Sequence, residues 1–401
     1  EYNMPHLRIK NIGPIKYADI ELNKVNVIMG PQSSGKSTIN KIACYCSWVE
    51  KKISLDQSFD YFLKEGVFIE ELARFHKLTG YFKETSEIEY HSETINLKYI
   101  YKDKEPVINW KNQFGYKRIK LSYIPAERNI VSMISDWKEV SLPNNNIRNF
   151  MADWNNARKI FTPEKHIHLP FLEIDYYYDE KSDMDYIQNQ DGTVIQLMDA
   201  SSGLQSMIPL VVLRSYFAEW IYTNEEPRSI ASKERDSRFL NILISTLSKQ
   251  DGGIQFTELE PYIIPYIATA GTGFFIEEPE LNLFPSTQRD ILYNLISSVQ
   301  QREDDSLILT THSPYILYAL NNCMLGFQVK ETMPKTEQES LASRQSWIDP
   351  SLVSAWEIKD GKLVDIKNSR LNTIGDHYFN TIMNEVMDEY YAMLKYIKRT
   401  K

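Results

Sequence analysis

Apolar and polar positions along the chain separate into runs of different period. "HLRIKNIGPIKYADIELNKVNVIMG" alternates over short stretches broken at Gly13-Pro14, which predicts three strands, the last over Val25 to Met29. Ser37 to Lys51 predicts a helix. From about Ser54 to Tyr123 the signal is mixed: a helical patch near Phe68 to Lys77, then alternating aromatic runs such as "SEIEYHSETINLKYIY". Residues 129–165 read as mostly helical, "KHIHLPFLEIDYYYDE" as strand, and a long apolar helix starts near Gly203. Residues 224–256 are polar and charged, which predicts a surface excursion or lid. "GFFIEEPE" is a short apolar strand ending in acids. Ile291, Leu292, Leu295, Ile296 and Val299 give helical spacing across Pro285 to Gln301, and "SLILTTHSP" is a second buried strand. "SAWEIKDGKLVDI" predicts a hairpin turning at Asp360-Gly361, followed by a closing helical segment.

Composition narrows the class. The hydrophobic fraction of 42% and charged fraction of 25% are those of an ordinary globular chain, and 401 residues suffice for one large core or two modest ones. No signal peptide is read at the start. The most apolar helical stretch, Met207 to Tyr222, is interrupted by Arg214 and Glu219, so a membrane span is not expected. Three cysteines (Cys44, Cys46 and Cys323) argue against a disulfide framework and for a cytoplasmic location. The net charge of −9 exerts no general pull on nucleic acid, although a local basic groove is compatible with it; the one short basic cluster is the tail from Lys395 to Lys401.

Between the third strand and the first helix lies "MGPQSSGKST", which fits G-x-x-x-x-G-K-[ST], a phosphate-cradling loop in the strand–loop–helix context it requires. Its residues are Gly30, Gln32, Ser33, Ser34, Gly35, Lys36, Ser37 and Thr38. Backbone N–H groups from Ser33 to Ser37 are placed to wrap a β-phosphate, Lys36 to bridge the β- and γ-phosphates, and the Ser37 hydroxyl to ligate Mg²⁺. Thr38 reads as helix packing with a secondary phosphate contact. A second piece, "FFIEEPELNLFP", delivers Glu277 and Glu278 to the carboxyl edge of a sheet, where Glu277 holds the magnesium ion and Glu278 polarises the attacking water. A third, "LILTTHSPYIL", ends a strand at His312, placed to contact a γ-phosphate or orient the water. A fourth, "DASSGLQS", opens the long apolar helix with Ser201, Ser202 and Gly203, either as an anion site or as a helix cap.

In this order, with "YIPAER" at Tyr123 to Arg128, the pieces resemble ABC-type ATPases of the SMC, RecF and OLD group. The likeness is greatest to compact AAA-family ATPases of prokaryotic defence and repair, PtuA-like and retron-associated ones among them. It covers the nucleotide-binding core well, the middle loosely and the last seventy residues weakly. It implies a two-lobed α/β ATPase head with a mixed sheet. The nucleotide lobe would take 1–128 and 257–330, a helical signature lobe 129–256, and a C-terminal hairpin and helix cap 331–401. It also implies a homodimer or larger homo-oligomer sandwiching two ATP molecules with Mg²⁺, each site completed by Ser201 and Gly203 of the other copy.

Departures from the family pattern are Glu277 where an Asp is usual, Gln32 where an Asn is usual, and Ala200-Ser201-Ser202-Gly203 where Leu-Ser-Gly-Gly is usual. The spacing of more than 70 residues from that signature to the acids argues against a transporter subunit. Residues 330–401 offer no Asp-x-Asp for a TOPRIM nuclease, so a nuclease or toxin effector is expected on a separate protein. The expected role is sensor or regulator of a defence complex; a RecF-like repair clamp that binds nucleic acid and an ATP-locked scaffold are the alternatives. Arg128 reads as a phosphate sensor or as half of a structural ion pair. His166 and His168, with Glu173 and Asp175 nearby, form a metal candidate without a clear third ligand.

Overall fold

A computed structural model of the protein describes residues 4–223, 230–248, 256–394 and 396. The predicted opening strands are β1 (His6–Ile12), β2 (Ile15–Glu21) and β3 (Val25–Met29), followed by α1 (Lys36–Asp56). α1 outruns its expected end at Lys51 because Ile53 and Leu55 extend its buried face, and Gln57, left-handed at φ 52°, ends it. Next come α2 (Val67–Phe75), the meander β4 (Glu87–His91), β5 (Ile95–Ile100) and β6 (Val107–Trp110), and β7 (Arg118–Ile124). The middle of the chain contributes α3 (Asn146–Arg158), β8 (Ile167–Leu169), β9 (Ile174–Asp179), β10 (Met184–Asn189), β11 (Val194–Gln196) and α4 (Ser202–Ser215). After α5 (Ile230–Leu247) and α6 (Phe256–Ile267) the chain returns as β12 (Thr269–Glu277), α7 (Pro285–Val299), β13 (Ser306–Thr311) and α8 (Pro314–Val329). It closes with the hairpin β14 (Val353–Lys359) and β15 (Lys362–Asp365) and with α9 (Tyr378–Leu394).

The α/β expectation holds. One eleven-stranded mixed sheet runs β6-β5-β4-β1-β2-β15-β14-β3-β13-β12-β7. From β14 to β7 every neighbouring pair is parallel, so the loops after β3, β12 and β13 leave the same carboxyl edge. Register aligns their ends to within one residue: Glu277 stands beside Thr310, which stands beside Ile28. Strand alternation splits the core in two. Ile28, Ile308, Phe275 and Tyr123 face α1, while Val27, Leu309, Ile276 and Ile124 belong to the core shared with α7, α8, α3, β9 and α4.

Three expectations need correction. The segment expected as a helical lobe also carries a sheet: the expected strand "KHIHLPFLEIDYYYDE" is β8 and β9, and with β10 and β11, which were not expected, it forms a separate antiparallel sheet, order β11-β10-β9-β8, in which the aromatic alternation of Tyr176 and Tyr178 buries one face. The C-terminal segment is no added cap, since β14 is a central strand beside β3, and its hairpin turns at Asp360-Gly361 with both φ positive, at 52° and 78°. The polar stretch is not simply a surface excursion. Phe239 and Leu243 of α5 pack with Leu55, Leu259 and Tyr266 in a small core of their own. Residues 224–229 and 249–255 of that stretch, and most of the basic tail, lie outside the described residues.

Candidate nucleotide site

β3 is buried at all five positions, so its end is fixed and the loop that follows is held at the sheet edge. Gly35 caps α1 in the left-handed region, at φ 104°, and a Cβ there would stand 2.4 Å from Cδ1 of Ile15; only glycine fits. Ser33 is also left-handed, at φ 59°, and the Ser34 hydroxyl is buried without a hydrogen-bond partner among the described residues. Such an orphaned donor in a glycine turn at a helix N-terminus suits a phosphate oxygen.

Lys36 is 4% exposed. Its ammonium donates to the carbonyls of Gly30 (2.9 Å) and Pro31 (2.8 Å) and reaches Nδ1 of His312 at 3.3 Å. Nε2 of His312 lies 3.0 Å from Oε1 of Glu278. With Lys36 donating to Nδ1, the ring carries its proton on Nε2 and donates it to Glu278. Three elements thus meet in one relay, Lys36–His312–Glu278. Burial pulls Lys36 down to about 8 against the opposing pull of Glu278 and Glu280. The His312 hydrogen bond holds Glu278 below the usual carboxylate range in spite of burial. Glu278 has φ 44°, a strained conformation for a residue with a side chain, and its N–H is tied to Thr310 O at 3.0 Å.

Glu277 turns elsewhere. One of its oxygens accepts from the Tyr123 hydroxyl and the other from the Ala126 N–H at 3.1 Å. Each oxygen retains a lone pair with which it could accept from a metal's water or ligate the metal. The donors at this edge, Ser37 with Glu277 and Glu278, are all oxygen, as Mg²⁺ requires. Among the described residues no group of three or more His, Cys, Asp or Glu forms a metal cluster, and His168 instead bonds Asp175 at 2.7 Å while His166 stacks on Tyr177.

The fourth motif lies beside the acids but makes no hydrogen bond to the phosphate loop among the described residues. Ser201 caps α4 by accepting from the Leu204 N–H at 3.4 Å, and Ser201 and Ser202 are exposed. A Cβ on Gly203 would sit 2.9 Å from the carbonyl of Asn282, whose side chain donates to Ser206 at 3.0 Å. Thr38 is buried in α1, as expected of a packing residue.

Among the described residues Arg128 forms no ion pair, and it is not open to a phosphate. It is fully buried and donates to four carbonyls: Ser206 at 2.8 Å, Pro125 at 3.2 Å, Glu277 at 2.8 Å and Glu278 at 2.7 Å. Burial lowers its pKa to about 10. It ties α4 to the end of β12. Glu127 pairs instead with Lys77 at 3.0 Å. Glu280 was not singled out by the sequence as a site residue: it accepts the His312 N–H at 2.6 Å and so sets the histidine backbone. The third acid of "EEPE" was its only signal.

Residues 6–196 match the model of an AAA domain, and residues 271–317 that of an AAA ATPase domain. These two segments are similar to AAA-type ATPase domains. The two matches take in the phosphate loop, both acids and His312. No curated protein matches the chain. Among solved structures, the SMC head domain from Thermotoga maritima overlaps at 10% identity, over 91% of this chain and 98% of that one, with a TM-score of 0.39. An Smc head domain with an extended coiled coil bound to the C-terminal domain of ScpA, derived from Pyrococcus furiosus, overlaps at 10% identity, over 96% and 100%, with a TM-score of 0.38. A dimeric bacterial ABC transporter cassette gives 10% identity, 89% and 96%, and 0.32. No helix among the described residues is long and apolar enough to cross a membrane.

Proposed function

We propose that the protein binds and hydrolyses ATP with Mg²⁺, and that two copies close on two ATP molecules. The observation that carries this reading is the Lys36–His312–Glu278 relay at the mouth of the phosphate loop. Lys36 exchanges its loop carbonyls for phosphate oxygens, Ser37 and Glu277 would hold the metal, which would offset the phosphate charge, and Glu278 takes a proton from the attacking water. His312 links the two ends, so a change at the γ-phosphate is felt at Glu278. In each site the exposed Ser201 and Ser202 N-terminus of α4 is offered to the γ-phosphate bound by the other copy.

The motif order supports a sensor or regulator subunit in a cytoplasmic prokaryotic defence complex, acting with a separate nuclease or toxin. A pure scaffold gives no use to a strained Glu278 aimed at a histidine, and a repair clamp is disfavoured by the net charge of −9. Turnover of ATP by the purified chain tests the chemistry. Glu278→Gln is expected to lower kcat at least 100-fold while ATP still binds; turnover equal to wild type would contradict the assignment.

A further inference from the structure

A second cavity, of about 420 Å³, opens at the far end of α1, walled by α1, α2, β7 and the second-lobe elements α3 and α5. Lys36 and Lys51 are fifteen residues apart on one helix, a rise of about 22 Å, while the cavity wall runs back along α1 to Cys44 and reaches Tyr123, which bonds Glu277. Its lining is cationic: Lys51, Lys52, Arg74, Lys120 and Arg235 stand against two carboxylates, Asp56 and Glu71. Most of these charges are spoken for. Lys52 and Arg235 share Asp56 at 2.8 and 3.4 Å, Arg74 pairs with Glu71 at 2.8 Å, and Lys120 reaches Asp153 of α3 at 3.4 Å. Lys51 is different. Its ammonium donates to the Ile119 carbonyl at 2.6 Å, and no carboxylate pairs with it among the described residues. Trp48, with Phe75 and the buried Tyr45, lines the same cavity, the Tyr45 and Trp48 ring centroids 5.7 Å apart.

We infer that this cavity is a second ligand site, one that takes a nucleoside monophosphate. A cavity of this volume holds a molecule of that size. The phosphate meets Lys51, Lys120 and Arg74, and the base lies on the Trp48 ring, as bases stack on aromatic side chains. The ligand would supply the negative charge that Lys51 lacks. Because the walls come from α3 and α5 as well as from α1, and α1 begins at the phosphate loop, occupancy ties the position of α3 and α5 to the ATP-binding helix. Lys51 also has a pKa near 7, lowered by burial first and then by Lys120, Arg118 and Arg235, with Asp153 opposing. His76, buried in the same wall, is held neutral by a pKa near 3, and Lys52, Asp56, Arg74 and Glu71 complete the facing charges. A bound phosphate raises Lys51 again, so binding takes up a proton at pH 8 and weakens as the pH rises from 7 to 9.

Calorimetric titration of the full chain with AMP, with adenosine and inorganic phosphate as half-ligands, tests the inference. The expected result is one AMP per chain in wild type and in Lys36→Ala, and binding at least tenfold weaker in Lys51→Met and in Arg74→Ala. The second substitution is at the exposed rim and spares the fold. Each half-ligand is expected to bind at least tenfold more weakly than AMP. Binding lost in Lys36→Ala but kept in both cavity variants would assign it to the phosphate loop and overturn the proposal. So would no binding at millimolar AMP, or phosphate binding as tightly as AMP. None of these outcomes bears on ATP turnover at Glu278.

Discussion

Glu278 concentrates the chemistry at the scale of single residues, since strain, a histidine partner and a nearby buried lysine all converge on it. Lys36 sets the pH dependence. Its pKa near 8 means the ammonium is present below that pH and lost above it. The account therefore predicts that kcat/KM for ATP, which reports the free protein, falls about tenfold per unit of pH above roughly 8; a profile flat to pH 9.5 would show that Lys36 makes no charged contact. The phosphate loop, Glu278 and His312 were legible in the sequence because each is a short local pattern at the end of an apolar strand. The partners of Glu277 were not: Tyr123 and Ala126 lie some 150 residues away in the chain and meet it only through the parallel pairing of β7 with β12.

Among the elements, Arg128 is the bolt between α4 and the acidic strand. Replacing it with Met leaves four buried carbonyls without their donor and is expected to cost about 3–5 kcal/mol, read as a fall in denaturation midpoint. Glu127→Ala next to it removes only an exposed pair with Lys77 and is expected to change stability by less than about 1 kcal/mol. Equal effects would refute the bolt. Gly203→Val forces a side chain against the Asn282 carbonyl and is expected to destabilise by about 1–3 kcal/mol; an unchanged midpoint would mean that α4 and the Asn282 loop are not in fixed contact. Periodicity located most helices and strands, with ends off by a few residues. It missed β10 and β11, whose polar, half-exposed residues carry little apolar alternation.

For the whole molecule, the hairpin of β14 and β15 carries the main lesson. Its turn was readable from Asp360-Gly361, but its insertion beside β3 was not, because a central parallel strand gains its neighbours from distant chain and leaves no local mark. The insertion makes the last third of the chain integral to the sheet that carries the phosphate loop. The central claim is that two such molecules close on ATP. Mass in solution with ATP and Mg²⁺ tests it most directly, for Glu278→Gln and for Glu278→Gln combined with Ser201→Arg. The account predicts an ATP-dependent dimer or larger assembly for the first and its loss in the second. An unchanged mass for Glu278→Gln with ATP bound, or an assembly indifferent to Ser201→Arg, would contradict it.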